Sequence, residues 1–506
     1  MNKRKETIQS VSFGIMVVTL MSKTLGFLRE LIFSYFYGTS SVADAYIFSL
    51  TISTIIFGFI GTGLMTSFIP VYTTVKEKNG INRANEFVSN IISVYIVLCL
   101  VIIAIAFSNT REIVNLLAGG FDPNTARISA YLCKFSIFTV LATGIVSILS
   151  SLLQINKMFL LPAAVGLPLN IILILSIFLS KKYGYILLGI GNLLAVYAEI
   201  LILLPAVKKT RYKFKFAPNI KDEYILLIIS MALPIILSAS VNQVNVLIDK
   251  SLASHILGGV SILNYSHTII SIVTDVVITA FVTAIYPKIT SAFVLGAQDE
   301  IKKIFSETLG SLMFVLIPAT VFAVFESDDI IRFFFKRGAF SDESVAISAN
   351  VLRYYAIGIP FIGIRQLLIR FFYANKDTKT PVINATIAIV FNIILNYPLL
   401  KFVGLGGLAL ATSLSAIVAD ILLWMSMNKT IKLKILHQDI LDLIKVLIGA
   451  VILVLLIITI SDLIRFNIYI RLLSIFIAVI VVYLVYSYFF NVSCVKQFLK
   501  GKKNDK

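Results

Sequence analysis

About fourteen apolar runs dominate the chain, each long enough to cross the hydrocarbon core of a bilayer: 11–37, 41–72, 86–108, 128–156, 158–180, 184–207, 224–253, 256–290, 305–325, 346–374, 380–400, 404–428, 441–461 and 467–491. That pattern leaves one fold class, an all-α polytopic membrane protein. With 58% hydrophobic and 14% charged residues, the chain is far more apolar than a soluble domain, in which about a quarter of residues are charged. The first run follows "MNKRKE" but carries charges and lacks a small-residue cleavage site, so it reads as the first span and not as a signal peptide.

A net charge of +18 suggests nucleic acid only if it is gathered on one domain. Here Lys and Arg are scattered over short loops and the C-terminal "KGKKNDK", which excludes that class. With both ends placed in the cytoplasm, most of them fall inside, in "NKRK", "KEKNGINR", "KKTRYKFK", "NKDTK" and "NKTIKLK", giving N-in, C-in; Lys181 and Lys182 are exceptions. Cys99, Cys133 and Cys494 have no metal spacing, and His255, His267 and His437 form no cluster.

The chain repeats itself at an offset of about 219 residues. "SFIPVYTTV" recurs as "TAIYPKITS", placing Pro70 against Pro287, and "ISAYLCKF" as "ISANVLRY", setting Lys134 opposite Arg353. "NKMFLLP" matches "NKDTKTP", and "AVYAEIL" matches "AIVADIL", which puts Glu199 opposite Asp420. The unit holds about six spans, an even number, so both copies share one orientation about an axis along the membrane normal. This gives an N-lobe at 1–207, a basic cytoplasmic linker at 208–223, a C-lobe at 224–428, and a further helix pair with a basic tail at 429–506. Two facing six-helix lobes are a transporter plan.

Charges inside the spans are the candidate functional residues, since an ion in hydrocarbon costs several kcal/mol or more and faces a bundle interior or a wet cavity. In span 1, Lys23 and Glu30 are seven residues apart on one helical face, with Arg29 about 100° round. Asp44 opens span 2 and Lys134 lies in span 4. One reading is a cationic, anion-binding pocket; the other is snorkelling by the long cations and local neutralisation of Arg29 by Glu30. In the C-lobe, Asp249 and Lys250 take the places of Arg29 and Glu30 with signs reversed, and His267, Asp275, Arg353, Arg365 and Arg370 follow. No catalytic motif appears, and no extramembrane segment exceeds about 25 residues, so an enzyme is not expected.

"SKTLGFLRELIFSYFYGTSSVADAYIFS", "RGAFSDESVAISANVLRYYAIGIPFIGIRQLLIRFFYANKDTKTPV" and "GLGGLALATSLSA" resemble the MurJ (MviN) lipid II flippase family of the multidrug/oligosaccharidyl-lipid/polysaccharide exporter superfamily, over nearly the whole chain. The resemblance implies two six-helix MATE-like lobes plus two C-terminal helices. It also implies transfer of undecaprenyl-diphosphate-linked lipid II from inner to outer leaflet of the bacterial cytoplasmic membrane by alternating access. It sets Arg29 and Glu30 on the family's Arg–acid pair, Lys23 where another Arg is common, and Asp44 on the acid of a "DAF"-like motif; Lys23, Lys134, His267 and Arg365 are the residues of this chain that could stand in for family arginines it lacks.

The chain departs from the family where arginines of helices 2 and 8 are expected, at Phe57 or Gly58 and at Thr268, and the helix 2 acid becomes Thr62. The resemblance further implies a sodium site formed by Asp249, Asn392, Asn396, the Leu408 carbonyl and Thr412, with Asn396 in place of a carboxylate. Oxygen ligands suit a hard cation; interhelical hydrogen bonding by buried amides is the alternative. Expected partners are a lipid-linked oligosaccharide diphosphate, membrane lipids and cell-wall synthesis proteins. A flippase for another undecaprenyl-linked oligosaccharide and a non-transporting envelope-synthesis scaffold are the competing functions.

Overall fold

The computed structural model describes residues 8–210, 212–430, 437–464 and 467–490. Cys494, the basic tail and part of "NKTIKLK" lie outside them. The described residues contain no strand, and the chain packs as two compact units. The first comprises residues up to Ser261 with Arg337–Phe340. It contains α1 (Ile8–Tyr37), α2 (Ser41–Ser108), α3 (Thr110–Leu117), α4 (Pro123–Ile155), α5 (Leu160–Ala164), α6 (Gly166–Tyr183), α7 (Ile186–Lys209) and α8 (Glu223–Ala253). The second comprises Ile262–Lys336 and the residues from Ser341. It contains most of α9 (Gly259–Val273), a π-helical turn at Thr274–Ile278, α10 (Thr279–Val294), α11 (Gln298–Phe325), α12 (Ser327–Phe335), α13 (Asp342–Ile357), α14 (Ile359–Ala374), α15 (Lys379–Val403), α16 (Gly406–Thr430), α17 (His437–Leu463) and α18 (Ile468–Phe489).

Helix starts follow from short polar side chains that accept from exposed N–H groups: Ser40 from Ala43, Asp122 from Asn124 and Thr125, Ser341 from Ser344. Among the described residues, eleven helical stretches are long and apolar enough to cross a membrane. The longest, α2, has 68 residues. At 1.5 Å per residue it measures about 100 Å, three times the hydrocarbon thickness. Gly80, at φ 82°, breaks it within the charged stretch "KEKNGINR", so α2 holds two spans.

In the first unit, α2, α4, α7 and α8 enclose a core that includes Phe68, Tyr72, Phe87, Leu152, Leu203 and Ile225. In the second, α17 and α18 pack on α11 through Val321, Leu453, Ile457, Ile475, Val479 and Tyr483. Arg471 of α18 pairs with the buried carboxylate of Asp329 in α12, adding a charged clamp to that apolar seam. The repeat appears in the packing: α7 lies against α4 and α6, and α16 lies against α13, α14 and α15.

The stretch at 208–223 is fastened and not a free tether. Its backbone donates from Lys215 N to Ser89 Oγ (3.3 Å), from Ala217 N to Ser93 Oγ (3.0 Å) and from Asn219 N to Asn90 Oδ1 (2.8 Å). Asn90 Nδ2 donates back to Asn219 O (3.1 Å), and Arg83 closes the end on Asp222 (2.5 Å). An extended segment with no ladder of its own thus finds partners on the second half of α2.

Candidate functional site

Small residues bring α1 against α6. A Cβ on Gly166 would lie 2.1 Å from Ser22 Oγ, so the approach depends on the bare backbone, and Gly26 faces the Asn170 amide in the same seam. The seam sets Asn170 beside Arg29. Asn170 Nδ2 donates to Ser22 O (3.3 Å) and Gly166 O (2.7 Å), which turns its oxygen toward the guanidinium, and Arg29 Nη1 donates to it at 3.1 Å. Arg29 Nη2 donates to Glu30 Oε1 at 2.6 Å. Two fixed acceptors hold a guanidinium that has five N–H donors, leaving part of its fork for an anion. The Arg29 side chain keeps 24% of its surface open, enough for a ligand to reach it.

Around this pair the first unit gathers a mixed charge cluster. Lys250 of α8 lies close enough to Asp44, Asp249 and Glu30 for their charges to act on it, and its Nζ donates to Val260 O at 3.4 Å. The cluster therefore holds Arg29 and Lys250 with Glu30, Asp44 and Asp249. Asp44 is 1% exposed and accepts from Ser261 N and Ser261 Oγ, both at 2.7 Å. It caps the start of α9 across 217 residues of chain, a structural duty that turns its carboxylate inward.

Lys134, His267 and Arg365 lie elsewhere. Lys23 is exposed on α1. Lys134 rests its ammonium 5.3 Å above the Phe107 ring and makes a cation–π contact there. In the second unit, the exposed His267 packs edge-on to Tyr355 with ring centroids 5.8 Å apart, and Arg365 of α14 lies within electrostatic reach of Asp420 of α16.

Four of the five implied sodium ligands meet in the second unit. Asn396 Nδ2 donates to Asn392 Oδ1 (3.1 Å), Asn392 Nδ2 to Thr412 Oγ1 (3.5 Å) and Thr412 Oγ1 to Leu408 O (3.0 Å). This neutral oxygen set suits a hard cation but also satisfies its own donors; the set's one carboxylate, Asp249, belongs to the first unit. Among the described residues, no three His, Cys, Asp or Glu side chains are grouped so that they could hold a metal ion.

The places where the family arginines are expected are filled in other ways. A Cβ on Gly58 would lie 2.8 Å from the Gln243 side chain, and the Phe57 ring covers the bare backbone of Gly61. The Thr268 hydroxyl donates back to Asn264 O (2.8 Å). Sequence reasoning missed Asn170 and the placement of Lys250. Asn170 carried no signal, whereas Lys250 was visible beside Asp249 in the repeat.

Repeated helical bundles with a charged cluster set in apolar helices define a multi-pass membrane transporter. At the level of fold, similar structures include an inward-facing multidrug resistance MATE family transporter of the MOP superfamily (TM-score 0.71, 12% identity, covering 83% of this chain and 98% of that one). The chain belongs to the MurJ family: the family model described as lipid II flippase MurJ matches residues 33–483. A lipid II flippase MurJ from Thermosipho africanus is 28% identical over 98% of both chains, and a probable lipid II flippase MurJ from Rhizobium meliloti is 27% identical over 80% of this chain and 78% of the relative. A solved lipid II flippase MurJ in an inward closed conformation matches with TM-score 0.83 and 26% identity over 94% of this chain and 98% of that one.

Proposed function

We propose that this protein flips lipid II from the inner to the outer leaflet of the bacterial cytoplasmic membrane, and that Arg29 holds the diphosphate during transfer. The observation that carries the reading is the Arg29 fork, fixed by Glu30 and Asn170 in an apolar helix of a chain whose family match covers 33–483. A diphosphate demands charge-assisted, paired donors, and a guanidinium already oriented by two acceptors pays less ordering entropy on binding than a free one. Lys250 is the second cation in that cluster and takes part where the helix 2 and helix 8 arginines are absent.

In this account the chain has fourteen spans in an N-in, C-in topology, with lobes at 1–207 and 224–428 joined by the 208–223 linker, and the two lobes rock to expose the cluster to each side in turn. A cation at Asn392, Asn396, Leu408 O and Thr412 biases the cycle; each elementary charge moved across the membrane contributes about 2.3 kcal/mol per 100 mV. The chemistry needs no bond-making, so the protein acts as a transporter and not as an enzyme, working beside the cell-wall synthesis machinery. Depletion of the protein in its host with leaflet-resolved quantification of lipid II tests the reading. Inner-leaflet accumulation reversed by re-expression is expected; undisturbed asymmetry with the protein gone contradicts it.

A further inference from the structure

Glu199 in α7 and Asp420 in α16 occupy matching places in the two repeats. Each sits about 20 Å from the start of its helix and about 15 Å from its end at 1.5 Å per residue, which places both at mid-membrane depth. They are 8% and 7% exposed. Their surroundings differ in one respect. Asp420 has Arg365 of α14 within electrostatic reach, although neither of its carboxyl oxygens accepts a hydrogen bond.

The residue at Arg365's offset in the first repeat is Val146, so Glu199 lacks that counter-charge. Among the described residues it makes no hydrogen bond or ion pair. The cations on the helices packed against α7 are engaged elsewhere or stand at helix ends: Arg127 reaches Asn124, Lys134 covers Phe107, Lys182 covers Tyr183, and Lys181 lies in the last turn of α6. An ionised carboxylate in hydrocarbon costs several kcal/mol when nothing opposes it, and a carboxyl group escapes that cost by keeping a proton.

We propose that Glu199 is a proton-binding site, a carboxylic acid kept in its neutral form in the first repeat at the place where the second repeat sets Asp420 within electrostatic reach of Arg365. A proton can leave it only in a state of the protein that admits water to α7, which makes Glu199 a point where proton movement couples to conformation. The inference does not depend on which lipid the protein carries.

Difference infrared spectroscopy on the purified full-length protein in lipid, wild type minus Glu199→Gln, tests it directly. The expected difference contains the carbonyl stretch of an un-ionised carboxylic acid at neutral pH, shifted in D2O. A difference that contains only carboxylate bands overturns the proposal. Glu199→Gln keeps size and shape and removes the ionisable group, so its thermal stability is expected to match wild type at neutral pH. A second arm uses dicyclohexylcarbodiimide, which adds to protonated carboxyl groups in apolar surroundings. Peptide mass spectrometry is expected to find the adduct on Glu199 at more than tenfold the level on Asp420, and Arg365→Leu is expected to raise labelling at Asp420. Equal labelling of the two in the wild type overturns the asymmetry between the repeats.

Discussion

Lys157 and Lys376, at equivalent places in the two repeats, both hold φ at 61°, the left-handed region that side chains other than glycine seldom enter. Each follows an asparagine that ends a helix, and the hydrogen bonds around them match: Met158 N donates to Leu153 O and Asp377 N to Phe372 O, both at 2.9 Å. The same six-residue closure at the same point of two bundles marks the chain as a duplicated unit in backbone as well as in sequence.

Because a non-glycine residue there carries about 1 kcal/mol of strain, Lys157→Gly and Lys376→Gly are expected to leave thermal stability unchanged or raised. Lys→Val at either place, β-branched and worse suited to this backbone, is expected to lower it. Thermal unfolding of the four purified variants checks this; a loss in both glycine variants contradicts the account.

Gly166→Ala is expected to push α1 from α6, since the added methyl meets Ser22 Oγ. The expected cost is about 1–3 kcal/mol, as for overpacking elsewhere. Ser22→Ala in the same chain removes the clashing atom, and at least half of the lost stability should return. Absence of such coupling in a double-mutant cycle contradicts the seam.

Asn90→Ala removes both hydrogen bonds to the Asn219 backbone. A loss of about 1–2 kcal/mol is expected, with faster trypsin cleavage at Lys215 and Lys221. Limited proteolysis followed by mass spectrometry reads the effect. An unchanged cleavage rate means that the linker is held by something other than α2.

The Asp342 carboxylate beside Lys336 and Arg332 is held below the usual carboxylate range, with the Lys336 contact first among the causes. A depressed folded value contributes stability above the unfolded value of about 3.9 and loses it as the pH falls through the folded one. Asp342→Asn is therefore expected to lower stability at pH 7 and to converge with wild type in acid. Unfolding midpoints taken from pH 7 downward check the sign; parallel curves contradict it.

Asp329→Ala leaves Arg471 beside a buried apolar seam without its acid. Breaking one partner of such a pair typically costs about 3–5 kcal/mol. The expected result is a lowered unfolding midpoint that Asp329→Ala/Arg471→Met partly restores. Failure of the second substitution to restore any stability contradicts a charge-pair origin.

Local signals carried the helical class, the repeat and the Arg29–Glu30 pair to the page, because apolar length, spacing and neighbouring charges are all written within a few tens of residues. Partnerships across long stretches of chain were not legible. Nothing in "GLPLN" says that Asn170 will meet Arg29, and nothing near Asp44 says that Ser261, 217 residues further on, will donate to its carboxylate. Lys134 was assigned by its place in a span, but the face it presents is set by Phe107. The sequence marks 208–223 as a basic linker, but not its hydrogen bonds to Ser89, Asn90 and Ser93, which lie on a helix formed much earlier in the chain.

The central claim is that Arg29 holds a diphosphate while the lipid crosses. The most direct measurement is leaflet-resolved lipid II in a depleted host complemented by wild type or by Arg29→Ala, both at equal membrane abundance. The account predicts that the wild type restores outer-leaflet lipid II and that Arg29→Ala leaves at least a tenfold deficit in transfer rate. Full restoration by Arg29→Ala would contradict it.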